Sequence, residues 1–184
     1  QEYANQGLTA SNMPILAYPM TEPEVLSAGI KNCKGHYTSF TYFQTVDTPE
    51  NKAFVKRFND FLAANKKQFP LPAVTSGVMQ AAYSGFLAFV EAAKKANSVD
   101  PVALVNACKG MEINAPEGKV RINSENLHTA LRPRIGQVND AGLFDILDES
   151  ASLVEPLVFN PKMDPGKTCE KGGEYYIKGK RVPT

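Results

Sequence analysis

The stretch Thr75–Ala96, TSGVMQAAYSGFLAFVEAAKKA, decides how the rest of the chain is read. Met79, Ala82, Tyr83, Phe86, Phe89, Val90 and Ala93 recur at spacings of three and four, the signature of one helical face. The other face carries Val78, Ala81, Ala88 and Ala92, and charge enters only with Glu91, Lys94 and Lys95 near the C-terminal end. A helix that is apolar on most sides is covered on most sides. The expectation is therefore an interior helix packed against a sheet, with Phe86 and Tyr83 buried. Gln80, Ser84 and Gly85 interrupt the apolar run before it reaches the roughly 20 residues of a membrane span.

Working outward, the flanks of this helix read as a mixed α/β pattern. Upstream, GHYTSFTYFQTV from Gly35 to Val46 is aromatic and β-branched on both faces, which predicts a strand inside a covered sheet. Asp47-Thr-Pro-Glu50 follows, and a helix begins there with either Asp47 or Thr48 as its cap. Phe54, Val55, Phe58, Phe61 and Leu62 supply its apolar stripe. Earlier still, Met13–Tyr18 (MPILAY) reads as a short buried strand and Thr21-Glu-Pro-Glu24 as a capping box opening a helix that Gly29 stops. Gln1–Leu8 is a helical fragment. Downstream, Asp100-Pro101 caps a short helix that ends at Gly110. Ile113 to Ile122 alternates around Ala115-Pro-Glu-Gly118, and Leu131–Val138 with Leu143–Leu147 alternates around Asn139-Asp-Ala-Gly142, so two β-hairpins are expected. Beyond Asp148 periodicity is lost. About Leu153 to Phe159 is expected as extended chain over a surface, and EYYIKGKRV as one terminal strand or an unstructured end.

Composition narrows the class of function. The chain has 184 residues, 43% hydrophobic and 21% charged, enough for one full-sized domain or two small lobes. A formal charge of +1 with no long basic run gives no support to nucleic acid as a partner. Cys33, Cys108 and Cys169 stand far apart with no CxxC pair, so neither a zinc site nor a disulfide framework follows. Cys108 is expected buried and unpaired, and no Cys33–Cys169 bridge is expected. No serine elbow, phosphate loop, HExxH or paired-carboxylate motif occurs, which argues against an enzyme and for no cofactor. His128 reads as a turn or packing residue, and Glu112, Glu117 and Glu125 as solvent-facing. No signal peptide opens the sequence, and a mature secreted chain would carry none.

Several of these stretches resemble one family. GHYTSFTYFQTVDTPENKAFVKRF, AAYSGFLAFVEAAKKANSVD and above all INAPEGKVRINSENLHTALRPRIGQVNDAGLFDIL are similar to the C-terminal half of urea and short-chain amide binding proteins, and MPILAYPMTEPEVLSAG matches as well. These are type I periplasmic binding proteins, related to those of branched-chain amino acid transporters. The resemblance implies an α/β fold of two Rossmann-like lobes with C-terminal β-hairpins, incomplete here because the N-terminal half of such a protein has no counterpart in the chain. It implies that residues up to about 34 end the second lobe, 35–128 complete the first, 129–148 return to the second and 149–184 form a tail.

The implied function is capture of a small polar solute, urea, a short-chain amide or a small amino acid, for delivery to an ABC permease, in the periplasm or anchored at the cell surface. An amide-responsive sensor of the same fold is the alternative. The missing N-terminal half, or a second copy, is implied as a further partner. Small amides need hydroxyl donors and acceptors in an aromatic cleft. Tyr18 at a strand end, Thr21 at a helix N-terminus, Tyr42 and Tyr83 are the expected ligand-binding residues.

Overall fold

The computed structural model describes residues 2–68 and 73–157, together with the backbone of the strands Tyr175–Ile177 and Lys180–Val182. In chain order the elements are α1 (Glu2–Asn5), β1 (Leu16–Ala17), α2 (Glu22–Ala28), α3 (Ile30–Cys33), β2 (Tyr37–Phe40), α4 (Pro49–Ala64), α5 (Gly77–Ala96) and α6 (Pro101–Cys108). They continue with β3 (Glu112–Ala115), β4 (Gly118–Ile122), β5 (Thr129–Ala130), β6 (Arg134–Val138), β7 (Phe144–Glu149), β8 (Tyr175–Ile177) and β9 (Lys180–Val182).

Two main sheets organise the chain. One has the order β1-β2-β6-β7, parallel between β1 and β2 and antiparallel elsewhere; the other has the order β3-β4-β5. Both expected hairpins are present, β3–β4 and β6–β7, and the C-terminal segment pairs as β8–β9. Past β7, Val154 bridges to Leu131; the expected extended segment runs beyond the described residues. β2 is interior, as its two apolar faces predict, but it stops at Phe40. Thr41–Asp47 then leaves the sheet, carrying Phe43 into one core and Tyr42 and Val46 into another. The residue-34 line expected between lobes falls ahead of β2, which pairs with β1 on one side and β6 on the other.

Three apolar clusters result. Val25, Cys33, Phe43, Val138 and Phe144 pack between α2, α3, the segment after β2 and the strands β6 and β7. Ala92, Ala107, Met111, Ile113, Val120 and Ile122 join α5, α6 and the β3–β4 hairpin. Tyr42, Val46 and Phe54 form a third cluster between them, with Tyr83 and Ile146 packed against it. Gly136 is required in the first: a Cβ there would meet the Phe43 Cζ at 2.9 Å and the Phe144 Cβ at 3.0 Å. Its absence lets those two rings approach to 4.7 Å between centroids.

Local signals set the helix starts. Glu24 accepts from the Thr21 N–H at 2.8 Å and from its hydroxyl at 2.6 Å, the carboxylate half of the predicted box. Thr48, not Asp47, caps α4 by accepting from the Asn51 N–H at 3.0 Å, while Asp47 forms an exposed ion pair with Lys52 at 2.6 Å. Ser76 caps α5 through the Met79 N–H, and Asp100 caps α6 through Val102 and Ala103.

Four expectations are corrected. Met13–Tyr18 is not a buried strand: only Leu16 and Ala17 pair, at the sheet edge, and Met13, Leu16 and Tyr18 are exposed. The central helix α5 is not covered on most sides. It turns Gln80, Ser84 and Ala92 inward and leaves Val78, Phe86 and Phe89 outward, with Phe86 65% exposed. The polar pair is tolerated inside because the two satisfy each other, Gln80 Nε2 donating to Ser84 Oγ at 2.6 Å. Glu117 is 5% exposed, not solvent-facing, while Glu112 and Glu125 are exposed as expected; His128 is exposed just ahead of β5. Cys108 is free, as expected, but only half-buried against the α5–α6 cluster. Cys33 is also free, and Cys169 lies outside the described residues. No described helix is long and apolar enough to cross a membrane.

Candidate functional site

The four sequence-predicted residues separate into two places. Tyr18 follows β1 and is 77% exposed, its ring 6.3 Å from that of Phe40 at the end of β2. Phe40 in turn lies against the first turn of α5, so close to Gly77 that a Cβ on that glycine would sit 1.9 Å from its Cε1. The exposed phenol of Tyr18 thus stands near the start of a 20-residue helix. Nearby, the Thr38 hydroxyl accepts from the Met20 N–H at 3.3 Å. Thr21 is buried and both its N–H and its hydroxyl are spent on Glu24.

Tyr42 and Tyr83 belong to the cluster between the two main cores. Tyr42 is fully buried; its hydroxyl lies 2.8 Å from Asn51 Oδ1, to which it donates, and 2.9 Å from Thr75 Oγ1. Burial pushes its phenol pKa upward, so it stays neutral. Tyr83 is half-buried, not buried as expected: the Phe54 ring lies tilted against it at 4.9 Å between centroids and Arg57 donates to its hydroxyl at 2.6 Å. The structure therefore joins Tyr42 and Tyr83 through Phe54.

Around this cluster runs a buried polar network that sequence reasoning did not single out. Gln44 Oε1 accepts from the Thr75 N–H at 2.7 Å, and the Gln44 N–H donates to Glu22 Oε1 at 2.6 Å. Glu22 is wholly buried, its other carboxylate oxygen has no hydrogen-bond partner among the described residues, and burial raises its pKa to about 7. On the far side, Ser84 donates to Glu117 at 3.2 Å, and burial pushes the Glu117 carboxyl up. Gln80, Ser84 and Glu117 line a cavity of about 160 Å³ between α5 and the β3–β4 hairpin.

Arg134 is the most heavily engaged side chain here. It is 5% exposed; its Nε donates to Glu149 at 2.9 Å, Nη2 to the Glu117 carbonyl at 2.9 Å, and Nη1 to the carbonyl of Thr41. Burial lowers its pKa while Glu149 opposes that shift, and a guanidinium retains its charge throughout. One signal was present in the sequence: Arg134 has the same alternation parity as Gly136 and Val138, the inward positions of β6.

A phenol hydroxyl and an aromatic face are groups that can hydrogen-bond and stack. The exposed phenol, an adjacent aromatic ring and the start of a helix lie together, and a hydrogen-bonded joint connects the sheet core to the α5–α6 core.

A family model described as periplasmic binding protein domain matches residues 1–165. Leu/Ile/Val-binding protein homolog 6 of Brucella abortus (strain 2308) is 30% identical over 166 residues, covering 89% of this chain and 40% of that protein. A Geobacillus stearothermophilus protein named limonene hydroxylase is 35% identical over 138 residues, 74% of this chain and 24% of that protein. Among solved structures, a solute binding protein of an ABC transporter from Rhodopseudomonas palustris HaA2, in complex with p-hydroxybenzoic acid, superposes with a TM-score of 0.67 at 24% identity, covering 83% of this chain and 41% of that one. The chain thus spans less than half the length of each of these proteins, and the structural likeness speaks for the fold.

Proposed function

Because the chain belongs to the periplasmic binding protein domain family, we propose that it forms part of a solute-binding protein that captures a small polar solute and presents it to an ABC permease, outside the cytoplasmic membrane. Urea, a short-chain amide or a small amino acid is the solute class, and no covalent step is involved. Tyr18 is the residue that touches the solute. Thr21, Tyr42 and Tyr83 serve the same site from behind, through the α2 cap and the joint. The observation that carries this reading is the exposed phenol of Tyr18 beside Phe40 and the first turn of α5.

In this reading the β1-β2-β6-β7 sheet belongs to the second lobe and α4, α5, α6 and the β3–β4 hairpin to the first. The chain changes lobes at Thr41–Thr48 and again between Thr129 and Arg134, and residues 149–184 form the tail. Two pairings of β2 favour the later first crossing over the residue-34 line. The outward apolar side of α5, with Val78, Phe86 and Phe89, is the surface on which further polypeptide, an N-terminal half or a second copy, completes the first lobe and closes the cleft.

The test is amide-resolved NMR of the chain titrated with urea, acetamide, leucine and p-hydroxybenzoate at millimolar concentration, where one open side of a cleft still reports weak binding. Shifts clustered at Tyr18, Phe40, Ser76 and Gly77 for urea, acetamide or leucine, and lost in Tyr18→Ala, are expected. Shifts for p-hydroxybenzoate alone would replace the solute class, and shifts that survive in Tyr18→Ala, or no shifts at these positions with any solute, would overturn the site.

A further inference from the structure

We infer that Arg134 is the pin of the joint between the two cores, a positioning residue that sets the angle at which they face each other. Its guanidinium ties its own sheet, through Glu149 opposite it on β7 and Thr41 just past β2, to the β3–β4 turn of the other core. Thr41 is the first residue after β2, on the segment that passes from one core to the other. Glu117 lies in the β3–β4 turn of the α5–α6 cluster, and Glu149 ends β7 in the four-stranded sheet. A planar guanidinium with donors fixed in one fork holds its acceptors in a set geometry, which a flexible ammonium does not. The acceptors it reaches are a carboxylate and the carbonyls of Thr41, Glu117 and, at 3.4 Å, Arg132, so the contacts constrain backbone position and not only side-chain packing.

The surroundings reinforce the role. The Thr48 hydroxyl donates to the Pro116 carbonyl at 2.8 Å, on the same turn that Arg134 grips through Glu117. The Thr45 hydroxyl donates to the Phe144 carbonyl at 2.5 Å, tying the crossing segment to β7. Both hydroxyls act at the ends of the joint, and Arg134 is the one described side chain that bonds to the crossing segment, the hairpin turn and β7 together. With the cation removed, the Thr41 and Glu117 carbonyls lose this donor while Glu149 keeps its 3.8 Å ion pair with Arg132, and the tie between sheet and hairpin turn is lost there. The consequence for solute capture rests on the binding-protein reading above; the coupling of the two cores does not.

The test measures the angle directly and uses no solute, so its failure is distinct from failure of the binding reading. Cysteines are introduced by Val99→Cys, beside α6, and Ala141→Cys, in the β6–β7 turn, both exposed positions. Cys33, Cys108 and Cys169 are each replaced by alanine, and spin labels report the distance distribution between the cores. Hydrogen exchange at Val120 and Val138 reports whether each core is folded. Arg134→Met is expected to make the distribution roughly twice as broad with both amides still protected, and Arg134→Lys to give an intermediate width. An unchanged width in a folded Arg134→Met protein overturns the inference. Where Arg134→Met unfolds either core, Arg134→Lys decides: a broadened distribution supports the pin, and the parent width overturns it.

Discussion

The Thr48 hydroxyl accepts the Asn51 N–H that opens α4 while donating to the Pro116 carbonyl 2.8 Å away, so one side chain both starts a helix and fastens it to the β3–β4 turn. Thr48→Ala removes the cap and leaves a carbonyl in the joint without its donor, at a cost of about 1–3 kcal/mol. Thr48→Ser keeps both bonds and most of the stability. Asp47→Ala loses only a solvent-exposed pair with Lys52 and leaves the denaturant midpoint where it was. Equal midpoints for Thr48→Ala and the parent chain would refute the double role.

Gly77 is held under the Phe40 ring, where no side chain fits. Gly77→Ala is expected to cost about 1–3 kcal/mol, because ring and helix must part. Phe40→Leu in the same chain recovers part of that loss, since the two positions share one contact. Additive effects in the double variant would show that the ring is not the obstacle.

Glu22 predicts a particular pH dependence. Its folded pKa of about 7 lies above the ordinary value of 4.5, so the native state binds more protons than the unfolded state between those values. Stability from this group is fully present below about pH 4.5 and is lost as pH rises through 7, by about 3 kcal/mol at most. Glu22→Gln keeps the acceptor for the Gln44 N–H and removes the charge. Its stability relative to the parent therefore rises between pH 5 and pH 8, and parallel pH profiles for the two proteins would count against the buried carboxyl.

Phe86 separates the helix expected from sequence from the helix observed. In an interior helix a charge at this position costs several kcal/mol. On the outward face of α5, Phe86→Glu is expected to change the stability of this chain by no more than about 0.5 kcal/mol. It also lowers binding of an apolar dye to the Val78–Phe86–Phe89 surface. A large drop in the unfolding midpoint would mean that this face is covered in the chain as it stands.

What the sequence determined by itself was local. The capping signals at Thr21-Glu-Pro-Glu24 and Asp100 act within three residues, and the alternation in the two hairpins is a property of each strand pair, so both are legible without tertiary knowledge. The resemblance in the PEGKVRI and ENLHTALRPRIGQV stretches led to the family for the same reason, being carried by contiguous residues. Tertiary structure decided which side of α5 faces inward. Its apolar stripe reads as a core face by periodicity, yet Gln80 and Ser84 point inward because Glu117, 33 residues from Ser84, meets them there. It also decided between Asp47 and Thr48, through a carbonyl 68 residues away. The same holds for the candidate site. Tyr42 and Tyr83 are residues suited to ligand contact, but Asn51, Thr75 and Arg57 occupy their hydroxyls, and only Tyr18 is left with an exposed ring. A charged residue in an alternating strand does not announce burial: Arg134 is inside because a carboxylate and two distant carbonyls converge on it, and such convergence exists only once the chain has folded.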